Sequence, residues 1–149
     1  MREAFTNTLK RTLDFAQHEA RTHHQEFVGT EHLFLAVIHR EDCEAERILR
    51  TQHLNPAEMR TAVLRDLPTA EDAPVISGDL PLSPKAQRVI NGAIVKAQAL
   101  REARISTRFL MLSLLDEPHT LVRSAISAGG GDINQLRQAL VESPADEEE

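Results

Sequence analysis

Apolar residues recur along this chain at the spacing of a helix face, and short polar segments separate the apolar stretches. In two stretches these residues lie three or four positions apart: Leu9, Leu13, Ala16 and Ala20, and again Ala86, Ile90, Ala93 and Ala97. This spacing places them on one face of a helix. The pattern therefore predicts two long amphipathic helices, over about Thr6–Thr22 and about Ser83–Glu102.

Each long helix is followed by a segment that is apolar on nearly every side. These segments cover about Thr30–His39 and about Thr107–Asp116. A helix with so little polar surface has to be covered on several sides, so we predict that both are central and buried. Two further apolar patterns predict a third helix in each half: Ala45, Ile48 and Leu49, then Leu121, Val122, Ala125 and Ile126. Fourth helices are predicted to begin at Asn55 and Asp132, which are good N-cap residues.

The two halves of the chain are copies of one unit. A shift of 77 positions lays 5–63 on 82–140 without a gap, and apolar classes match even where identities fail, as in Phe5 with Leu82 and Val28 with Ile105. A repeat of this kind indicates two units with the same fold. We therefore expect an all-α protein built from two pseudo-symmetric four-helix repeats that form one domain.

The polar segments set the expected boundaries. Residues 68–81 contain three prolines, one glycine and three acidic residues, which is typical of a linker. Residues 143–149 are too polar to bury apolar surface, so a disordered acidic tail is expected there. The first repeat then covers residues 1–67 and the second covers 82–142.

Composition narrows the function classes. The formal net charge is −6 and no Lys/Arg cluster stands out, which argues against a nucleic-acid partner. The longest apolar run, Leu110–Leu115, is far too short to span a bilayer, so no membrane segment is expected. A single cysteine, Cys43, excludes an internal disulfide, and the first residues lack the apolar stretch of a signal peptide. These features favour the cytoplasm.

Catalytic signatures are missing from the sequence. It contains no phosphate-binding glycine loop and no hydrolase motif, so we expect neither ATPase activity nor a cofactor nor catalytic residues. His18, His23 and His24 with Glu19 leave a metal-dependent hydrolase as an alternative hypothesis. Their spacing does not place two imidazoles on one helix face, which favours a solvated helix end and predicts no metal site. Cys43 is interpreted as an ordinary helix-start cysteine.

One segment carries most of the functional information. The sequence V-G-T-E-H-L at Val28–Leu33 follows the first long helix and opens a buried one, within a tandem repeat. In these features the chain resembles the Clp N-terminal repeat domain of ClpC- and ClpA-type unfoldases over about Phe5–Leu140. The resemblance implies a non-catalytic domain that recognises substrate or adaptor proteins for a Clp-type ATP-dependent unfoldase or protease. A free-standing accessory or regulatory subunit of that machinery is the alternative.

The resemblance also implies a ligand, because ClpC-like members bind phosphorylated arginine at the equivalent motif. By this analogy Gly29 allows close backbone approach, Thr30 caps the helix or contacts phosphate, and Glu31 holds the guanidinium. Free N–H groups at a helix N-terminus attract phosphate, and a carboxylate pairs with a guanidinium. The alternative interpretation is purely structural: Thr30 caps the helix and Glu31 complements its dipole.

The second repeat departs from this pattern. Ser106, Thr107 and Arg108 stand where Gly29, Thr30 and Glu31 stand in the first repeat. A cation at the third position repels a guanidinium, so this second site is expected to be degenerate, with Arg108 exposed and solvated. Replacing Arg108 with glutamate is expected to restore a second site.

Overall fold

The computed structural model describes residues 4–39, 43–67, 78–118 and 120–143, and within these ranges it contains eight helices and no strand longer than an isolated bridge. The helices of the first repeat are α1 (Asn7–Thr22), α2 (Thr30–His39), α3 (Glu44–Thr51) and α4 (Pro56–Asp66). Those of the second are α5 (Pro84–Ala99), α6 (Thr107–Asp116), α7 (Leu121–Ala128) and α8 (Ile133–Glu142). The all-α prediction with two four-helix repeats is confirmed. None of the helices in the described ranges is long and apolar enough to cross a membrane.

N-cap side chains explain where several helices begin. Thr6 and Ser83, at equivalent positions of the two repeats, each accept a hydrogen bond from the amide three residues later, at 3.0 and 3.1 Å. Asn55 and Asp132 cap α4 and α8 in the same way. Each side chain satisfies an amide that has no partner within its own helix.

The core is built around α2 and α6. Every residue of α6 from Thr107 to Leu115 is buried, and Phe34 and Phe109 are among the largest fully buried side chains. The long helix α1 packs on α2, and α5 packs on α6. Small residues are buried along both long helices: Ala16, Ala20, Ala93 and Ala97. Small side chains allow the close helix approach that the sequence pattern predicts.

The third helices are exchanged between the repeats. Helix α3 packs on α6 and α8 of the second repeat, and α7 packs on α2 and α4 of the first. The third helix of each repeat therefore packs against the other repeat, and the two repeats share a single core. Residues 68–77 of the expected linker and 144–149 of the expected tail lie outside the described residues.

Backbone pairing between the repeats positions the start of α2 beside the start of α5. The Val28 amide donates to the Pro81 carbonyl at 2.9 Å, and the Ser83 amide donates to the Val28 carbonyl at 2.9 Å. Phe5 and Ile105 form the equivalent bridge on the other side of the molecule. The first-repeat motif and the N-terminus of α5 consequently share one surface.

Candidate functional site

The first turn of α2 is organised by a histidine. Thr30 is the first helical residue rather than the cap, because the Gly29 carbonyl accepts hydrogen bonds from the His32 and Leu33 amides, both at 3.2 Å. The Gly29 amide donates to His32 Nδ1 at 2.8 Å. This is one half of a capping box, in which the side chain of the third helical residue accepts a hydrogen bond from the amide of the cap residue. The interpretation of Thr30 as the cap is therefore wrong.

The Glu31 carboxylate folds back over Gly29. Its side chain is 25% exposed, with Oε1 at 3.8 Å from His32 Nδ1 and Oε2 at 3.5 Å from the Thr30 hydroxyl. A Cβ at position 29 would overlap this carboxylate, so glycine is needed for the close approach. The negative charge complements the helix dipole and remains accessible to a cation from solvent.

A groove of about 540 Å³ runs between the starts of α2 and α5. Its walls come from both repeats: Gln25, Phe27, Gly29, Thr30, Glu31, Ser83, Pro84, Lys85 and Arg88. Lys85 and Arg88 are exposed, and Arg88 Nη2 lies 2.6 Å from Glu117 Oε1. Phe27 is 52% exposed beside them. The groove thus combines one carboxylate with two cations and an accessible aromatic ring.

These groups suit a ligand that carries both charges. The first N–H groups of α2 have no carbonyl partner within the helix and lie at its positive end. An anion in the groove gains from these N–H groups and from Lys85, whereas a guanidinium gains from paired hydrogen bonds to Glu31. The wall formed by Lys85, Arg88 and Phe27 escaped the sequence analysis. The motif alone does not indicate which part of the other repeat pairs with it.

The second-repeat motif is closed by its own side chain. Arg108, expected to be exposed, is 3% exposed, and its Nε lies 2.7 Å from Glu44 Oε1 at the start of α3. Its Nη1 also donates to the carbonyl oxygens of Leu140 at 3.0 Å and Ser143 at 3.2 Å. The expectation of a solvated Arg108 is wrong because the exchanged helix α3 brings a carboxylate to this position. Glutamate at position 108 would face Glu44, and this repulsion disfavours a second site there.

The other two residues of this motif are equally enclosed. The Thr107 hydroxyl accepts a hydrogen bond from the Ala45 amide at 3.0 Å, and both Ser106 and Thr107 are buried. Thr107 therefore supports the first turn of α3 rather than a ligand. All three residues of the second motif are thus buried among the described residues, whereas Glu31 of the first motif borders a groove.

The histidines serve separate roles. His23 Nε2 lies 3.2 Å from Glu19 Oε2, and Arg60 Nη1 donates to Glu19 Oε1 at 2.7 Å. Burial raises the pKa of the Glu19 carboxyl, but Arg60 and then His23 outweigh this effect and lower it overall. His18 and His24 are exposed, and no group of three metal-ligating side chains is found within the described residues. Cys43 is buried at the N-cap of α3.

Comparison with known proteins identifies this architecture. The family model for the Clp repeat (R) N-terminal domain matches residues 4–108 and 82–148. The chain belongs to the Clp repeat N-terminal domain family. The resemblance inferred from the V-G-T-E-H-L motif and the duplication is therefore confirmed.

Relatives of this Clp repeat N-terminal domain are parts of longer chains. It is 27% identical over 141 residues to the chloroplastic chaperone protein ClpC1 of Oryza sativa. That alignment covers 95% of this chain and 15% of ClpC1. The N-terminal domain of ClpD from Arabidopsis thaliana superposes with a TM-score of 0.76 at 19% identity, covering 93% of each chain. A ClpV N-domain solved in complex with a VipB peptide gives a TM-score of 0.73 at 14% identity, covering 95% of this chain and 89% of that one. The chain spans about a sixth of the length of the chaperone relative.

Proposed function

We propose that this domain is a non-catalytic recognition module that receives substrate or adaptor proteins for a Clp-type unfoldase, and that the groove between α2 and α5 binds phosphorylated arginine. The family membership and the ClpV N-domain complex with a peptide support protein recognition. The single observation that carries the ligand assignment is the position of Glu31 in a groove that also holds Lys85 and the N-terminus of α2.

Each half of a phosphoarginine side chain has a partner in this arrangement. The guanidinium takes charge-assisted hydrogen bonds from its N–H groups to the Glu31 carboxylate. The phosphate is attracted by the first amides of α2 and by the Lys85 ammonium. Because Arg88 is already paired with Glu117, its charge contributes less to the anion than that of Lys85. The exposed Phe27 ring offers a surface to the residues that flank the modified arginine.

Titration calorimetry of phosphoarginine into the full chain tests this proposal. We expect saturable binding at one site per chain. Removing a charged hydrogen-bond partner costs about 1.5–3 kcal/mol, so Glu31→Gln and Lys85→Met should each weaken binding by roughly ten- to a hundredfold. Unmodified arginine should bind far more weakly, because it lacks the phosphate.

A matched control comes from another helix start. Glu58 lies exposed in the first turn of α4, outside the groove, and has the same relation to a helix dipole as Glu31. Glu58→Gln should leave phosphoarginine affinity unchanged. Equal effects of Glu31→Gln and Glu58→Gln, or the absence of any binding, would contradict the ligand assignment.

A further inference from the structure

His32 lies directly beneath the groove without lining it. The side chain is 1% exposed, and its Nδ1 accepts the Gly29 amide at 2.8 Å. A nitrogen that accepts a hydrogen bond carries no proton, so the proton of the neutral ring is on Nε2. The tautomer is thus set by the backbone of the α2 N-terminus.

The opposite edge of the ring is less well satisfied. His32 Nε2 is buried and has no hydrogen-bond partner within the described residues. A buried polar group without a partner is unusual and destabilises the fold. The hydrogen bond that the ring makes is therefore the one at Nδ1.

Charged groups surround this ring on several sides. Glu31 Oε1 lies 3.8 Å from Nδ1 on the same helix, and α1 contributes Glu19 and His23, with Arg60 of α4 bound to Glu19. Burial lowers the pKa of His32, Glu31 opposes this shift, His23 adds to it and Glu19 opposes it. The net shift is downward, so the ring is neutral at neutral pH.

We propose that His32 is a positioning residue, which keeps the Glu31 carboxylate available to a guanidinium only while Nδ1 accepts the Gly29 amide. Protonation at Nδ1 converts this acceptor into a donor. The Gly29 amide then loses its partner, and the Glu31 carboxylate, with Oε1 at 3.8 Å, can accept the new N–H. The inference rests on the proposed function, because Glu31 is the guanidinium partner in that proposal.

The two halves of the ligand respond differently to this change. An imidazolium that holds Glu31 competes with a bound guanidinium for the same carboxylate. The freed Gly29 amide and the added positive charge favour an anion. Acidification therefore weakens the guanidinium half of recognition and spares the phosphate half.

Nuclear magnetic resonance of the ligand-free protein tests the switch by itself. The imidazole nitrogens of His32 and the Gly29 amide should titrate together as pH falls, at a pH below the ordinary histidine value of 6.5 because burial lowers the pKa of His32. His32→Gln keeps an acceptor at the third helical position, as in a capping box, and removes the titration. In this variant the Gly29 amide should stop responding to pH. His24→Gln, at an exposed histidine, should leave the response intact.

Binding measurements then test the consequence. The affinity of each protein for phosphoarginine at about pH 7.5 serves as its own reference. Below the pH at which the His32 nitrogens titrate, the wild type should lose at least about tenfold more affinity relative to this reference than His32→Gln, since a charged hydrogen-bond partner is withdrawn from one protein alone. Because both proteins are measured with the same ligand at each pH, ionisation of phosphoarginine affects both affinities equally.

The outcomes separate the two proposals. A Gly29 amide that does not follow His32 in the wild type, or an equal acid loss in His32→Gln, would overturn the positioning role. Failure of both proteins to bind phosphoarginine at about pH 7.5 would overturn the proposed function. The titration of Gly29 in the wild type would still decide whether His32 acts as the switch, and it requires no variant to fold.

Discussion

The starts of α2 and α6 occupy equivalent places in the two repeats but have opposite surroundings. At α2 the third motif residue is a carboxylate, Glu31, that is partly exposed over a groove. At α6 it is Arg108, buried against Glu44 and the last carbonyls of α8. A duplicated fold thus keeps the same helix position for two purposes. One copy leaves a polar surface open, and the other uses it to hold α3 and α8 together.

The contrast between the repeats is reversed at the ends of the long helices. In the first repeat Glu19 of α1 binds Arg60 of α4 and is buried. In the second repeat the acidic residue of the corresponding ion pair is on α6 instead. Asp116 lies 2.7 Å from Lys96 and 2.9 Å from Arg137. Arg60 and Arg137 are equivalent, so an ion pair with the fourth helix is kept although its acid comes from a different helix. The surrounding burial then decides how much each pair stabilises the fold.

The largest effect is expected at Arg108. Arg108→Met removes the partner of a buried carboxylate, and breaking such a pair typically costs about 3–5 kcal/mol of unfolding free energy. Glu31→Gln, at the equivalent position, should cost no more than about 1 kcal/mol, the contribution of a charge at a helix end. Chemical denaturation of both variants measures the contrast.

A double variant separates the ion pair from packing. Combining Arg108→Met with Glu44→Gln removes the unpaired charge, so it should recover part of the loss seen in Arg108→Met alone. A loss below about 1 kcal/mol for Arg108→Met would mean that the second motif is not closed in the way described.

A smaller difference is expected between the two equivalent arginines of the fourth helices. Arg60→Met leaves the buried Glu19 with His23 alone and should cost about 1–3 kcal/mol. Arg137→Met leaves Asp116, which is about one-third exposed, still paired with Lys96, and should cost about 1 kcal/mol or less. Thermal or urea unfolding at neutral pH compares them. Equal losses of unfolding free energy in Arg60→Met and Arg137→Met would contradict the claim that burial makes the Glu19 pair the stronger one.

Acid should reduce the contribution of the Arg60 pair. The pKa of Glu19 is lowered in the folded protein from an ordinary value of 4.5, so its stabilisation is present above that value and is lost as pH falls through the folded-state pKa. The difference in unfolding free energy between the wild type and Arg60→Met should therefore shrink below about pH 4.5. A constant difference down to about pH 3 would assign the effect of Arg60 to packing.

The smallest effect is expected at the C-terminal end. Removing residues 144–149 keeps Ser143, whose carbonyl oxygen accepts from Arg108, so unfolding free energy should change by no more than about 0.5 kcal/mol. A clear drop in the melting temperature of the truncated chain would show that these residues stabilise the second repeat.

Local sequence rules predict much of this fold. The bounds of α2 and α6 follow from segments that are apolar on nearly every side, and the caps of α1, α4, α5 and α8 follow from residue types that favour them. The repeat is visible because apolar classes match at core positions. The cap of α2 was assigned wrongly because His32, rather than a serine or threonine, supplies the acceptor.

Contacts that depend on the exchange of helices escape such rules. Arg108 was expected in solvent because its neighbours in the chain do not indicate that Glu44 reaches it through α3. Glu102 of the same repeat also lies 3.7 Å from Arg108 Nη2. Lys85 joins the groove because Val28 pairs with the residues before α5. The shift of 77 positions that aligns the two repeats does not indicate which residues of one repeat contact the other. The carboxylate of the first motif was identified, and the cations opposite it were not.

Backbone amide spectra recorded during a phosphoarginine titration test most directly whether one motif is open and the other closed. The account predicts saturable shifts at Gly29, Thr30, Glu31 and Lys85, and no comparable shifts at the second motif, Ser106–Arg108. Shifts of similar size at both motifs, or shifts confined to the second, would contradict it.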